Sequence, residues 1–465
     1  MNSDDIIDNS QKFNEYRNKY NEFHYKSYKI DEDDKNIYIS FEFEIKGLTS
    51  FKPHMQIAKK NFKFKSIKTN IVKNMVFNIG MIELISYWKC TCSKNVIIEC
   101  MSLTEEQKQW WKKLYFYGLG ELFYRNNIKT SIDDFMSITT LEDKFLKNEI
   151  DSEEHDGYII PIGGGKDSVV TLETLPLNKN KDYCLIINPK PVTLKCAEIA
   201  GFNDNNIIEI KRTIDKELIE LNKQNYINGH TPFSAMLAFT SYFVAYLLNK
   251  KYIALSNENS ANESNIIGEK INHQYSKSLE FENDFEEYTK KYLKTDVKYF
   301  SFLRPLNELQ IAKLFSKHKA YHQVFKSCNV GSKEKEWIWC CNCAKCLFAF
   351  IILSPYLYKD ELVNIFGEDL FEKKSLLNIF NELTGNSTYK PFDCVGTFEE
   401  VNFAITKTIQ NIEKNKKSLP YLLKYYKNNY KLVDTSIDIT KRYNEDTNLN
   451  KEQNEILRKE VFSDD

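Results

Sequence analysis

Residues 156–175 read DGYIIPIGGGKDSVVTLETL. Tyr158 to Ile162 is a short apolar run of β character, and Gly163, Gly164 and Gly165 follow it. Lys166, Asp167 and Ser168 come next, and Val169 to Leu175 carries a helical apolar pattern. Strand, glycine turn and helix together present backbone N–H groups and a helix N-terminus to an anion. Glycine suits such a turn because a Cβ would hold phosphate oxygens away from the backbone. Ser168 adds a hydroxyl donor and Lys166 a positive charge. Spacing excludes two other phosphate loops. A Walker loop needs Ser or Thr where Asp167 stands, and a dinucleotide-binding turn needs glycine where Ser168 stands.

Downstream the pattern is β-α-β-α. Tyr183–Ile187 is a second strand ending at Asn188-Pro189, and Thr193–Ala200 is a helix stopped by Gly201. Ile207–Ile210 is a third strand, followed by Arg212. Gly229-His230-Thr231-Pro232 opens a long buried helix, Phe233–Asn249, with Thr231 as its expected N-cap and Pro232 at its first position. Tyr252–Leu255 is a fourth strand, ending in Ser256-Asn257-Glu258 and followed by Ser260, Asn262 and Glu263. Ligands of open parallel sheets lie at the carboxyl ends of the strands. The glycine loop and this polar cluster both stand at such ends, so one site is expected to contain them.

Ile271–Ser278 is a polar run that supplies His273 and Lys277. Phe281–Leu293 reads as an amphipathic helix. Leu303-Arg304-Pro305-Leu306 precedes a helix over Asn307–Phe315, with Asn307 as its cap. His230, Glu258, Glu263, His273 and Lys277 are the candidates for proton transfer, against a plainer role for each in hydrogen bonding or capping. Gly163 to Ser168, Asn188, Asn257 and Arg304 are the candidates for holding a nucleotide. A surface ion pair is the competing reading for Arg304.

Cys328, Cys340, Cys343 and Cys346 form a C-x11-C-x2-C-x2-C pattern. Four thiolates at such gaps suit a closed, structural zinc site. Cys341 falls out of that register and is excluded. Cys90 and Cys92 are read as packing residues within a strand-like stretch, Val76–Ile97.

The 465 residues allow roughly two or three domains. Residues 1–150 read as an N-terminal α+β domain, 151–355 as the catalytic domain with the cysteine knot, and 356–465 as a helical C-terminal region. In the first of these, residues 1–35 read as a polar lead-in, Asn36–Ile45 and Phe62–Ile67 as strands, and Glu105–Tyr124 as an aromatic-rich helix. The last thirty or so residues read as an exposed helix or tail. A net charge of −1 gives no field that would draw the chain to nucleic acid or membrane. The acidic N-terminus is not a signal peptide, and the longest apolar runs are too short to span a bilayer. Eleven cysteines without an export signal place the chain in a reducing cytoplasm.

GGGKDS resembles the PP-loop, usually Ser-Gly-Gly-x-Asp-Ser, of the ATP pyrophosphatases, with Gly163 standing where Ser is usual. The order of signals over 158–350 resembles the 7-cyano-7-deazaguanine synthases, although Gly229-His230-Thr231-Pro232 replaces the Gly-Arg-Asn helix entry of that branch. A closer resemblance is to the UDP-N-acetylmuramoyl-L-alanyl-L-glutamate epimerase family, through GGGKDS, SNENSANE, NHQYSKS, FLRPL, WCCNCAKC and DCVGTFEE, the last spanning Asp393–Glu400. The resemblance implies a doubly wound parallel sheet of the PP-loop, HUP-like class. It implies inversion of the terminal L-Glu of UDP-MurNAc-L-Ala-L-Glu in cell-wall precursor synthesis. ATP would be converted to AMP and pyrophosphate, with Mg²⁺ and a structural zinc. The competing readings are a PP-loop enzyme that modifies a nucleobase or tRNA, and a zinc-stapled nucleotide-binding regulator without catalysis.

Overall fold

The computed structural model describes residues 6–141, 145–146, 153–262, 272, 274–334, 336–387 and 390–463. Glu263 and His273, two of the expected proton-transfer candidates, lie outside the described residues.

The chain opens with a helix, α1 (Ser10–Lys19), and an antiparallel pair, β1 (Glu22–Glu32) and β2 (Asn36–Ile45). β2 buries Ile37, Ile39, Phe41, Phe43 and Ile45, the alternation visible in its sequence. β1 replaces part of the expected polar lead-in. Only Phe23 and Tyr25 of that strand are buried, so its alternation fades into Lys, Asp and Glu. β3 (Thr49–Phe51) and β4 (His54–Ala58) follow. The strand expected over Phe62–Ile67 does not form; β4 takes the place beside β2, and Phe62 and Phe64 pack as rings outside the ladder.

The strand-like stretch from Val76 is mostly helix, α2 (Asn70–Trp88), capped by Thr69. It is buried on nearly every side, so it lacks the polar stripe that reveals a surface helix. Cys90 and Cys92 lie buried in the turn after it, and β5 (Asn95–Ile98) comes next. Helices α3 (Glu105–Gly118) and α4 (Gly120–Arg125) and strand β6 (Ser137–Thr140) complete this part.

The decisive stretch folds as strand, loop and helix: β7 (Tyr158–Pro161), then α5 (Lys166–Thr174). β8 (Tyr183–Ile187), α6 (Pro191–Ile199), β9 (Ile207–Thr213), α7 (Lys216–Lys223), α8 (Phe233–Leu247), β10 (Tyr252–Leu255), α9 (Leu279–Tyr292), β11 (Lys298–Ser301) and α10 (Glu308–Lys317) follow. Thr231 does not cap α8, because the cap position falls one residue later on Pro232, which has no side-chain acceptor. Asn307 does cap α10, in a reciprocal box with Gln310. The C-terminal part is helical: α11 (Ala344–Leu353), α12 (Lys359–Phe366), α13 (Leu377–Leu383), α14 (Phe398–Lys414), α15 (Tyr421–Asn429) and α16 (Lys451–Phe462). α16 is no free tail. Leu457 and Val461 are buried, and Gln453 Nε2 donates to the Tyr158 hydroxyl at 3.2 Å.

One large mixed sheet runs in the order β11-β10-β7-β8-β9-β4-β2-β1-β5-β6, with β3 beside β2. β11 through β9 are parallel neighbours, β9 meets β4 antiparallel, and β1, β5 and β6 are parallel again. β7 lies between β8 and β10, so the chain leaves β7 toward one edge and later returns to its other side. A crevice outside the carboxyl ends of the strands is expected at such a reversal. Over β7, β8 and β9 the sheet is covered on both faces. Ile159, Leu185 and Ile208 face the core that contains α2 and α8, whereas Ile160, Cys184 and Ile186 face α5 and α6.

Candidate active site

At the end of β7 the glycines differ in their surroundings. Gly164 has φ +78°, and a Cβ there would meet Val192 Cγ1 at 3.1 Å and Thr193 Cγ2 at 3.2 Å. Gly163 is exposed, with nothing within 4 Å of such a Cβ. Gly165 is the N-cap of α5, and the Ser168 hydroxyl donates back to its carbonyl at 3.0 Å.

Lys166 turns inward, with 6% of its side chain exposed, and pairs with both Asp167 and Glu308. Burial works against its charge, but Asp167 and Glu308 outweigh burial and hold its pKa above the ordinary lysine value. Burial also opposes ionisation of Asp167; Lys166, with Lys345 and Lys277 nearby, keeps that carboxyl below its ordinary value. One ammonium thus faces two carboxyl groups. Glu308 is the more deeply buried of the two, and burial pushes it up to about 8 against the pull of Lys166, with Asp167, Glu258 and Glu400 adding to the rise.

Glu308 opens α10, and its N–H donates to Glu400 Oε1 at 2.8 Å. Glu400 is the N3 residue of α14, in a capping box with Thr397. Its carboxyl is raised by burial, against the N–H donors of Glu308 and Thr397. Glu258, beyond the end of β10, is buried beside Ser260. Lys277 Nζ lies 3.1 Å from Cys394 Sγ, and Lys345 Nζ donates to the Cys394 carbonyl. The glycine loop, the end of β10, the segment before α9 and the N-termini of α10, α11 and α14 therefore converge on a single charged cluster. Asn259, Ser260, Asn307, Thr397, Glu400 and Arg442 line a cavity of about 520 Å³ on its Glu400 side. A second cavity, of about 440 Å³, lies among the aromatic side chains of α3 and α4. The glycine loop lines neither of these two cavities.

Some expected site residues have other work. Arg304 is neither a surface ion pair nor open to a phosphate, because it is wholly buried. Its guanidinium donates to the Glu258 and Lys277 carbonyls, Ser301 Oγ and Glu282, so it ties the ends of two strands to the segment before α9. Asn257 donates to the same Ser301 hydroxyl at 3.0 Å. Asn188 is exposed at the end of β8, with φ +52°, and accepts the Arg212 N–H. His230 stands 3.8 Å from Glu121 of α4. The sequence reading singled out neither Glu308 nor Lys345, and took Cys394 only as part of the segment Asp393–Glu400, read as lining the site or as a capped turn. Glu308 looked like an ordinary first-turn acid of a capped helix, and Lys345 sits between two cysteine ligands.

Cys328, Cys340, Cys343 and Cys346 place their sulfurs within 4.8 Å of one another. The separations are 3.8, 3.8 and 3.5 Å for 328–343, 340–346 and 343–346. Four sulfurs about 2.3 Å from a tetrahedral zinc stand about 3.8 Å apart, so the set is compatible with that ion. The Gly331 N–H donates to Cys328 Sγ at 3.1 Å, and a Cβ on Gly331 would lie 1.9 Å from the Ile338 carbonyl oxygen. Only glycine lets these two backbones pass. Cys341 turns away, at φ +55°, and donates to the Phe366 carbonyl. The knot also touches the site: Lys326 N–H donates to Gly164 O at 2.9 Å, and Asn329 Nδ2 to Asp393 Oδ1 at 2.8 Å.

Fold and site together define a mixed α/β protein with a charged cluster at the strand ends and a zinc-competent knot beside it. Sequence models of the MurL N-terminal domain and the MurL C-terminal domain match residues 14–302 and 324–432. The chain belongs to the MurL family. It is similar to the UDP-N-acetyl-alpha-D-muramoyl-L-alanyl-L-glutamate epimerase of Xanthomonas oryzae pv. oryzae, with 32% identity over 70% of this chain and 72% of that one. The proteins of the same name from Micromonospora sp. and Salinispora tropica are 31% and 32% identical, over 69% and 63% of this chain and 72% and 64% of theirs. Among the described residues, no helix is long and apolar enough to cross a membrane.

Proposed function

We propose that the protein is an ATP-dependent epimerase that inverts the terminal L-Glu of UDP-MurNAc-L-Ala-L-Glu to D-Glu, in the synthesis of a peptidoglycan precursor. The activity in the names of its relatives supports the substrate. The observation that carries the ATP requirement is the glycine loop at the reversal of strand order, opening onto buried lysines and carboxylates. On this reading the parallel strands β7 to β11 form a PP-loop sheet within residues 151–355.

The chemistry needs activation. Removing the α-proton beside a carboxylate would place two negative charges on one small unit. Attack of that carboxylate on the α-phosphorus of ATP gives an acyl-adenylate, releases pyrophosphate and makes the Cα–H far more acidic. Because the glutamate is N-acylated, its acyl-adenylate can close to an oxazolone whose Cα–H exchanges readily; water then opens the ring. The amides of residues 163–168 would hold the phosphates. Lys166 would neutralise charge there, and Asp167 is an oxygen donor of the kind that takes Mg²⁺, which screens a departing pyrophosphate.

Pyrophosphate release with the dipeptide nucleotide, with 7-carboxy-7-deazaguanine plus ammonia, with tRNA and with ATP alone tests the proposal. Release with the dipeptide nucleotide alone supports it. Release with the base or with tRNA moves the enzyme to nucleobase chemistry, and binding of ATP without release makes it a regulator.

A further inference from the structure

Segment 393–400 carries a side chain that neither the nucleotide loop nor the zinc knot uses. Cys394 is half-buried, 3.1 Å from the Lys277 ammonium. Both partners are held in place. Arg304 donates to the Lys277 carbonyl, and the next residue, Ser278, caps α9; Lys345 donates to the Cys394 carbonyl. Burial works against charge on Lys277, yet Cys394, with Glu258 and Asp167, keeps that ammonium above its ordinary value. An ammonium at 3.1 Å is the partner that a thiolate base at this position needs. Nine of the other ten cysteines differ. Four form the knot, and burial raises the thiols of Cys90, Cys92, Cys184, Cys196 and Cys341.

From this pair we infer that Cys394 is the base that takes the Cα proton of the terminal glutamate, with Lys277 holding it as the thiolate. The inference rests on the epimerase reading above. The thiolate accepts the proton, and the C–H electron pair passes onto the activated carboxyl as an enolate. Water protonates the opposite face of Cα, and the hydroxide so formed takes the proton from the Cys394 thiol, restoring the thiolate. The lysine is thus a positioning residue, and the thiolate is the group that touches substrate.

The test separates this step from adenylation. In D₂O with ATP and the dipeptide nucleotide, Cys394→Ala is expected to lose at least about 100-fold in deuterium entry at Cα, while pyrophosphate release changes by less than about threefold. Deuterium entry at the wild-type rate in that variant overturns the inference. A wild-type enzyme that exchanges Cα–H without releasing pyrophosphate overturns the ATP reading instead, and Cys394 is still judged by deuterium entry. If Cys394→Ala does not fold, iodoacetamide labelling of the wild-type enzyme with peptide mapping decides. Cys394 is expected to label ahead of the buried thiols and to be protected by the dipeptide nucleotide. A Cys394 that does not label, or that labels equally with and without substrate, overturns the inference.

Discussion

Gly163 and Gly164 are adjacent, but only Gly164 has a left-handed backbone and close neighbours. Gly164→Ala is expected to lower stability by about 1–3 kcal/mol, whereas Gly163→Ser stays within about 0.5 kcal/mol; paired urea melts measure both. Glu308 supplies a pH signature. Its carboxyl is raised from an ordinary 4.5 to about 8 in the folded state, so the folded chain keeps a proton that the unfolded chain has released. Its contribution therefore falls as pH rises from about 4.5 toward about 8, and Glu308→Gln, which cannot ionise, should flatten that slope in urea melts across the window. The loop was readable because its residues are contiguous. Glu308 was not, because it meets Lys166 across 142 positions of sequence. Arg304 shows the converse: one letter cannot distinguish an arginine open to phosphate from one buried against carbonyl groups.

The cysteine knot is a small element that bears on the glycine loop through the Lys326–Gly164 hydrogen bond. The knot should carry one zinc per chain by elemental analysis. Stripping it with a chelator, or Cys343→Ser, should lower the melting temperature and speed amide exchange at 163–168 as well as at 326–346. Loosening confined to the knot would show that the two elements are independent. The knot's ligands were legible because their spacing is local and their chemistry narrow. Strands β2, β8 and β10 were legible to the residue because each alternates cleanly or stands as a short apolar run between polar ends. α2 was not, since burial on all sides erases helical periodicity. β11 was not, because its four residues hold only Tyr299 and Phe300 between a lysine and a serine, whereas the equally short β10 is apolar throughout.

Across the whole molecule, the first and last parts of the chain meet the central sheet. β4 pairs with β9, α2 packs with α8 in one core, and α16 reaches Tyr158 on β7. These contacts link residues far apart in sequence, so the chain's own order did not reveal them. Deleting residues 445–465 removes α16 with buried Leu457 and Val461, and should lower the melting temperature. An unchanged melting temperature would make that helix an appendage. The most direct measurement follows an oxygen atom through the whole reaction. The dipeptide nucleotide is labelled with a heavy oxygen isotope in the α-carboxylate of its terminal glutamate, and the AMP formed during epimerisation is analysed by mass spectrometry. Attack of the carboxylate on the α-phosphorus leaves one labelled oxygen in AMP for each D-glutamyl product; D-glutamyl product formed with unlabelled AMP, or with no AMP at all, would contradict carboxylate activation at the glycine loop.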